Sequence, residues 1–592
     1  MKIRYLDGKR FYLGLVAGGE AVIRNRKYLN KINVFPVADA DTGTNLAMTM
    51  QSIMERSKIG KTLQETLHSV ADSALSGARG NSGIIFAQFL HGLSHELPEK
   101  GIITVKYFAE SAQKSVKRLY NSLMNPVEGT MLTVIREWSD NLVEQSDRNT
   151  DFLTVLTNSL TVAQQSLNKT PDKLKVLADS GVVDAGASGF VSFLEGVVEF
   201  IHKGSLKKAV AYKAPIESII TDEIHLEEPG LYRYCSEAIL SAKDSSINAI
   251  REAIAKFGDS LILAGDPEKL HVHIHTNTPE ELFEEFNRLG EVSGIKVDDM
   301  RRQYEISHNR KFDIGLITDT ASDLPEELID RYQIQQIPFG ISFGNRQYLD
   351  KRTIQSEHFY QLLKTDRKHP VSSQPSPQLV RNSIEFSTGY YKQIIAVHIS
   401  DKLSGVVQTA TSMAKDIPGT EIKIINSKQL SVSEGLLTLR FAEAIAEGMA
   451  YDDIIRESEN WIKNTKIYTD IDTLKYMVRG GRVKPLTGFI AAVLNLEPIV
   501  SLDEEGKALA YGKSFSRKSN MKKITNIIKT ELNKKGLWKY AIVHADAEKR
   551  AKQYAEILTT VTGQCPAYIM QLSPVVGVHN GIGTVGIGII YD

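Results

Sequence analysis

Residues 33–50 read NVFPVADADTGTNLAMTM. Asp39 and Asp41 stand two apart, ahead of Thr42, Gly43, Thr44 and Asn45, small residues that read as the start of a helix. Carboxylates held this close repel unless a cation or a proton intervenes. A helix start offers free N–H groups and the positive end of its dipole to phosphate. Acidic residues beside it are explained if Mg2+ lies between them and the phosphate, bound by oxygen ligands. An N-capping loop with exposed aspartates explains the same residues, and the spacing alone does not choose.

Outward from this stretch, residues 1–205 read as helical. TLQETLHSVADSALSG and ITVKYFAESAQKSVKRLYNSL place apolar residues at helical spacing. Three further loops rich in glycine and small polar residues lie between such segments. SGARGNSGIIFAQFLHGL (76–93) brings Gly77, Gly80 and Gly83 with Asn81 and Ser82. These glycines permit close backbone approach to a ligand, and they equally permit tight helix–helix packing. The other two are EGTMLTVIREW (128–138), with Thr130 and Met131, and ADSGVVDAGASGF (178–190). Helices that scaffold loops of this kind commonly place function in the loops.

Residues 206–310 read as a small α+β domain. SLILA and HVHIH predict strands joined by a GDPEK turn. Thr278, Pro279 and Glu281 predict the start of a helix with a capping box. Period-two alternation puts His271, His273 and His275 on one strand face. Neighbouring imidazoles suit Zn2+, with Cys235 as a third ligand; a strand carrying partly exposed histidines is the other reading. From Phe312 to the end, at 592, the pattern is α/β, with strand-like IGLIT, QQIPFGISF, QIIAVHI and EIKIIN and an internal border expected near 466. VSSQPS (371–376), HISDKLSGVVQTA (398–410), LKYMVRGGRV (474–483) and GVHNGIGTVGIG (577–588) are each weak alone, a Ser-rich turn being most simply a turn and a lone His beside glycines structural.

Composition narrows the classes. Lys+Arg and Asp+Glu both number 71, which argues against a nucleic-acid binder driven by net charge. The two cysteines, Cys235 and Cys565, exclude a disulfide framework and suit a reducing, cytoplasmic setting. Runs such as Phe489–Leu494 are too short to span a bilayer. A lipid substrate would therefore sit in a protein pocket, with at most transient contact with a membrane surface.

Taken together, the four loops resemble the nucleotide-binding subunit of dihydroxyacetone kinases, and more closely the ATP-binding domain of bacterial fatty-acid kinases. That resemblance implies a helical barrel with Mg-ATP at its rim. Asp39 and Asp41 match the metal-binding acids, with Asn33 as a further ligand or loop-fixing residue. Thr42, Gly43, Thr44, Asn45, Gly80, Asn81 and Ser82 match phosphate-contacting positions, and Thr130 and Met131 lie nearer the nucleoside. Ala38 and Ala40 replace the proline and glycine usual in the family's P-D-G-D. The HVHIHT segment resembles the fatty-acid kinase middle domain, whose V-H-V-H-T and upstream cysteine match His273, His275 and Cys235; His271 is additional. Residues 311–592 resemble the DegV family, whose members bind a fatty acid between two α/β lobes. Its T-S-Q-P-S, L-S-G-T and H-x-G-P-G elements appear at Ser372–Ser376, Leu403–Val406 and His579–Gly583, with Ser for Thr at 372, Val for Thr at 406 and Ile for Pro at 582. Carried over, Ser372, Ser404 and His579 would hold the fatty-acid carboxylate. Arg482 and Arg517 lie in matching basic stretches, as phosphate contacts or as ordinary surface charge.

The combination implies a fatty-acid kinase: ATP and a fatty acid give ADP and an acyl phosphate, destined for phospholipid synthesis. Asp39, Asp41, His273, His275 and His579 are its candidate catalytic residues. The two halves would meet within one chain or across a homodimer. A dihydroxyacetone-type kinase and a non-catalytic lipid-binding regulator are the alternatives.

Overall fold

The computed structural model describes residues 2–35, 41–97, 101–203, 231–415, 417–481, 497–514 and 516–592. Asp39, Ala38, Ala40 and Arg482 lie outside them. The chain divides into two compact units, Met1–Tyr304 and Glu305–Asp592.

The first unit joins the helical and middle regions. Its helices form where the sequence supplies caps and a 3.6-residue stripe. Leu63–Gly77 begins at Thr62, whose hydroxyl accepts the Glu65 N–H at 3.1 Å. It buries Leu63, Leu67, Val70 and Ala74 completely. Each fully buried leucine or valine contributes about 1.5–3 kcal/mol. Gly8–Arg24 packs closely on Ala185–Lys203, because a Cβ on Gly18 would strike Phe193 and one on Gly196 would strike Ala17. The region is not wholly helical: Tyr5–Asp7 pairs antiparallel with Ile102–Thr104. None of the described helices is long and apolar enough to cross a membrane.

The middle region is a four-stranded antiparallel sheet in the order Gly258–Asp266, Lys269–Thr276, Tyr234–Ser241, Glu291–Asp299. Ile247–Ile254 links Tyr234–Ser241 to Gly258–Asp266, and Pro279–Leu289 links Lys269–Thr276 to Glu291–Asp299. This is a split βαβ arrangement. The second helix starts where expected, but Thr278 makes no side-chain cap bond, so the expected capping box does not form. Leu270, Val272 and Ile274 occupy one face, while His271, His273 and His275 share the other with Cys235 and Glu237. The histidine face meets the helices: the His271 imidazole bonds the Leu75 carbonyl at 2.7 Å, and the Gln88 carboxamide accepts the Gly265 N–H at 2.9 Å.

The second unit holds a parallel sheet in the order Glu421–Asn426, Gln393–His398, Ile314–Asp319, Gln335–Ile337. A mixed six-stranded sheet draws its strands from residues 465–591, and a three-stranded antiparallel sheet contains Val371–Ser373. Ser431–Ala446 packs against strands of both larger sheets. Its residues are buried almost all round, as an apolar sequence such as VSEGLLTLRFA requires.

Candidate active site

In the first unit, Asn33, Asp41, Thr42, Asn45, Asn81 and Ser82 line one small cavity of about 40 Å3. Gly80, Cys235, His273, His275 and Met300 complete it. The helical loops and the histidine strand therefore converge on one place. Asp41 caps Thr42–Arg56 through its backbone, its carbonyl accepting the Asn45 N–H at 2.8 Å, and its side chain makes no cap bond. The Thr42 hydroxyl donates to Asn33 at 2.6 Å, which holds that loop against the helix start. Asn81 Oδ1 is buried with no hydrogen-bond partner among the described residues. Such an atom carries a desolvation cost unless a ligand satisfies it.

Several matched residues do other work. Asn30 holds the Thr44 N–H and hydroxyl, both at 2.9 Å, Thr44 does not line the cavity, and Asn30 supplies the cap that the Asp41 side chain does not. Gly43 lets the helix start close on the backbone of Arg26. Gly77 and Gly83 meet Ser52 and Thr49, which is helix packing. Gly80 differs: it has φ +59°, and a Cβ there would strike Asn45. Thr130 caps the helix Met131–Ser146, and neither it nor Met131 lines the cavity. The fourth loop reaches the cavity through Gly186, which abuts Ser82. Beside it Asp184 is pushed up to about 6, because burial outweighs the backbone N–H groups of Ala187 and Met131.

Cys235 Sγ lies 3.7 Å from His273 Nδ1, and the ligand atoms of Cys235, His273 and His275 are all within 4.8 Å of one another. A tetrahedral zinc with Zn–S near 2.3 Å and Zn–N near 2.0–2.1 Å separates S from N by about 3.6 Å. The donor set fits zinc. Burial, then the His273 charge, pushes His275 down to about 3, so it is a neutral ligand. Burial pushes the Cys235 thiol up, and Glu237 adds to this; a bound cation reverses that preference.

Glu237 and Lys296 escape a sequence reading. Register places Glu237 opposite His273 on one side and Lys296 on the other. Glu237 is fully buried, accepts the Gly80 N–H at 2.8 Å and lies 3.7 Å from Lys296 Nζ. Burial alone would raise its carboxyl, but Lys296 and the neighbouring imidazoles of His271 and His273, 3.7 and 3.5 Å from its oxygens, hold it well below the usual range. The one signal was the alternation of Cys235 and Glu237 along YCSE.

The second unit contains a cavity of about 410 Å3, within the roughly 300–1,000 Å3 of small-molecule pockets. Its walls are largely apolar, with Phe339, Ile399, Ile467, Met477, Val500 and Val576 among them. Ser372, Ser404 and His579 all line it. Ser372 Oγ and His579 Nε2 are 2.8 Å apart. Ser404 immediately precedes Gly405, the N-cap of Val406–Ala414, so its hydroxyl lies at the positive end of a helix dipole. Gly480 passes so close to His579 that a Cβ would collide with the ring. Gly581 and Gly583 have φ +73° and +83°, and Ile582 between them packs on the core. Gln374, within the Ser372–Ser376 element, and Lys402 also line the cavity. Arg517 pairs with Asp472 at 2.6 Å.

Three family models match the chain. The DAK2 domain matches residues 36–199, the middle domain of the fatty acid kinase A-subunit type 231–307, and the DegV family, described as uncharacterised protein, 313–592. An uncharacterized protein of Staphylococcus saprophyticus is 33% identical over 321 residues, covering 52% of this chain and 58% of the relative. One of Staphylococcus epidermidis is 33% identical over 313 residues, covering 51% and 56%. The chain thus spans little more than half the length of these curated relatives. Among solved structures, DegV of Bacillus subtilis, titled a fatty acid binding protein, is 25% identical with a TM-score of 0.45, covering 48% of this chain and all of that one. A Thermus thermophilus DegV family protein, titled for fatty acid binding, is 25% identical with a TM-score of 0.44, covering 47% and 100%. In one polypeptide the chain thus matches the models of a DAK2 domain, a middle domain of the fatty acid kinase A-subunit type and a DegV family domain.

Proposed function

We propose that this chain is a fatty-acid kinase that transfers the γ-phosphate of ATP to a fatty-acid carboxylate. The observation that carries the reading is the apolar cavity of the second unit, which gathers Ser372, Ser404 and His579 from three distant segments. An apolar chain with one carboxylate is the ligand such a wall and such a polar end suit. The domain composition supplies the kinase half of the reading.

In this reading Asp41, with Asp39 and Asn33, would hold Mg2+. A magnesium ion held there would supply neutralisation of phosphate charge. The N–H groups of the helix starts at Thr42 and Asn81, with the Ser82 hydroxyl, orient the phosphates. Glu237 takes the Gly80 N–H, which fixes the second of these loops. The acceptor is ionised at neutral pH, the reference carboxyl value being about 4. No general base is required, so positioning and charge neutralisation carry the transfer. Ser404 and the Ser372–His579 pair hold the carboxylate so that one oxygen is presented to the phosphorus. Cys235, His273 and His275 would hold zinc, which would tie the strands Tyr234–Ser241 and Lys269–Thr276 together beside the phosphate loops.

Ser404→Ala removes a hydrogen bond to a charged group, worth about 1.5–3 kcal/mol. Fatty-acid affinity of the full chain is expected to fall roughly ten- to a hundredfold, 1.4 kcal/mol being tenfold. The tail keeps its apolar contacts, so binding weakens without vanishing. Titration with a fluorescent fatty acid measures this. A Ser372/Ser404/His579 triple alanine variant that binds like the wild type would place the carboxylate elsewhere.

The zinc assignment has its own test. The His273→Ala/His275→Ala chain is expected to contain about one zinc fewer than the wild type by elemental analysis. Equal zinc in both would return these histidines to a purely packing role.

A further inference from the structure

Eleven residues after Gly80, the same helix carries His91, and one turn later His95. Their Nε2 atoms are 3.2 Å apart. Asp266, from the turn between Gly258–Asp266 and Lys269–Thr276, points Oδ2 at His91 Nε2 from 3.9 Å. The ligand atoms of the three lie within 4.8 Å of one another. We propose that His91, His95 and Asp266 form a second transition-metal site, of the zinc class, which staples the middle-domain hairpin to the helix Gly80–Glu96. This inference is independent of the kinase reading.

The geometry is that of a chelate. Two nitrogens each about 2.0–2.1 Å from one metal at the tetrahedral angle stand about 3.3 Å apart, against the 3.2 Å here. Histidines at i and i+4 share a helix face, the spacing by which zinc-binding helices present two imidazoles. A hydrogen bond between the rings explains the distance with no metal. It does not explain a carboxylate brought to the same point from another domain. The turn around Asp266 orients it as a ligand: its Oδ1 accepts the N–H groups of Glu268 and Lys269 at 2.9 and 3.2 Å, leaving Oδ2 to face the histidines. Its side chain is about half exposed, at 49%, so it can close by the half ångström that a metal bond needs. His68, from the helix Leu63–Gly77, stands edge-on to His95 with ring centroids 6.1 Å apart, close enough to supply a fourth ligand after a rotamer change. Arg118, the nearby cation, is engaged with Glu96 at 2.5 Å.

The location gives such a metal a consequence. The helix begins at Gly80 in the phosphate-side cavity, and the strand Lys269–Thr276 carries His273 and His275 into that cavity. His91 lies about 16 Å along the helix from Gly80 at 1.5 Å per residue. An ion there fixes the hairpin to the helix at a distance from the chemistry, beside the Gln88–Gly265 bond and the Lys269–Asp72 ion pair.

The test is Zn2+ binding to the full-length chain after chelation, counted by equilibrium dialysis, with thermal unfolding measured alongside. His91→Gln/His95→Gln is expected to lose one equivalent that Cys235→Ser retains. Zn2+ is expected to raise the unfolding temperature of the Cys235→Ser chain, and to do so no longer when His91→Gln/His95→Gln is added, since a ligand stabilises only the state that binds it. Equal equivalents in the wild type and the double variant would overturn the site. Should the double variant not fold, Asp266→Asn decides. It keeps the Oδ1 that organises the turn and removes the charge, so it is expected to weaken one equivalent at least about tenfold. Unchanged affinity in Asp266→Asn would overturn the proposal.

Discussion

Asp41→Ala is expected to cut ATP turnover by on the order of a hundred- to a thousandfold, the loss typical of removing one preorganised charge-stabilising group. Its carboxyl is the acid within the described residues that lines the cavity beside Asn33, Thr42 and Asn45. The backbone of Asp41 caps the helix and its side chain makes no cap bond, so the substitution leaves the helix start intact. Fatty-acid affinity is expected to stay at the wild-type value, because the cavity lined by Ser372, Ser404 and His579 is built wholly from the second unit. A coupled ADP assay and a fatty-acid titration on the same preparation separate the two effects. Full turnover in Asp41→Ala, or in Asp39→Ala/Asp41→Ala, would remove magnesium from these residues.

The second large effect is on stability. Glu237→Ala leaves the partly buried Lys296, its side chain 14% exposed, with Asp298 2.5 Å away, and leaves the Gly80 N–H without its acceptor. Breaking a buried pair from one side costs about 3–5 kcal/mol, so unit 1 is expected to lose a substantial part of a typical domain's margin of roughly 5–15 kcal/mol. Glu237→Gln keeps an acceptor for Gly80 and is expected to cost distinctly less. The pH dependence has a definite sign. The folded carboxyl lies below its unfolded value, so its contribution is fully present above about pH 4.3, the ordinary glutamate value, and is lost as pH falls through the folded value. Urea unfolding of the wild type and both variants at pH 7 and pH 4 measures this. An alanine variant as stable as the wild type at pH 7 would show that the ion pair contributes nothing.

Local periodicity made much of the architecture legible. HVHIH reads as a strand with three histidines on one face, and Lys269–Thr276 has that form. EIKIIN and QIIAVHI are parallel neighbours, Glu421–Asn426 beside Gln393–His398. Partners set by register were hidden. Glu237 meets His273 and Lys296 only because Tyr234–Ser241 lies between two strands that follow it in the chain, and no local pattern encodes that neighbour order. Capture by a distant side chain was hidden as well. Thr44 sits in the phosphate-loop motif, yet its N–H is bonded to Asn30. The glycines of SGARGNSG look alike in sequence, but Gly80 alone of Gly77, Gly80 and Gly83 has positive φ. HGLSH displays the His91–His95 spacing, while its third member arrives on the hairpin turn of another region.

The central claim is the reaction, and trapping its product tests it most directly. The purified full-length chain, loaded with the fatty acid that co-purifies with it as identified by mass spectrometry, is supplied with Mg-ATP and hydroxylamine. Acyl phosphate reacts with hydroxylamine to give the fatty hydroxamate. The account predicts hydroxamate and ADP in equal amounts, both abolished in Asp39→Ala/Asp41→Ala. ADP released without hydroxamate, or no ATP consumed by a chain that holds fatty acid, would contradict it.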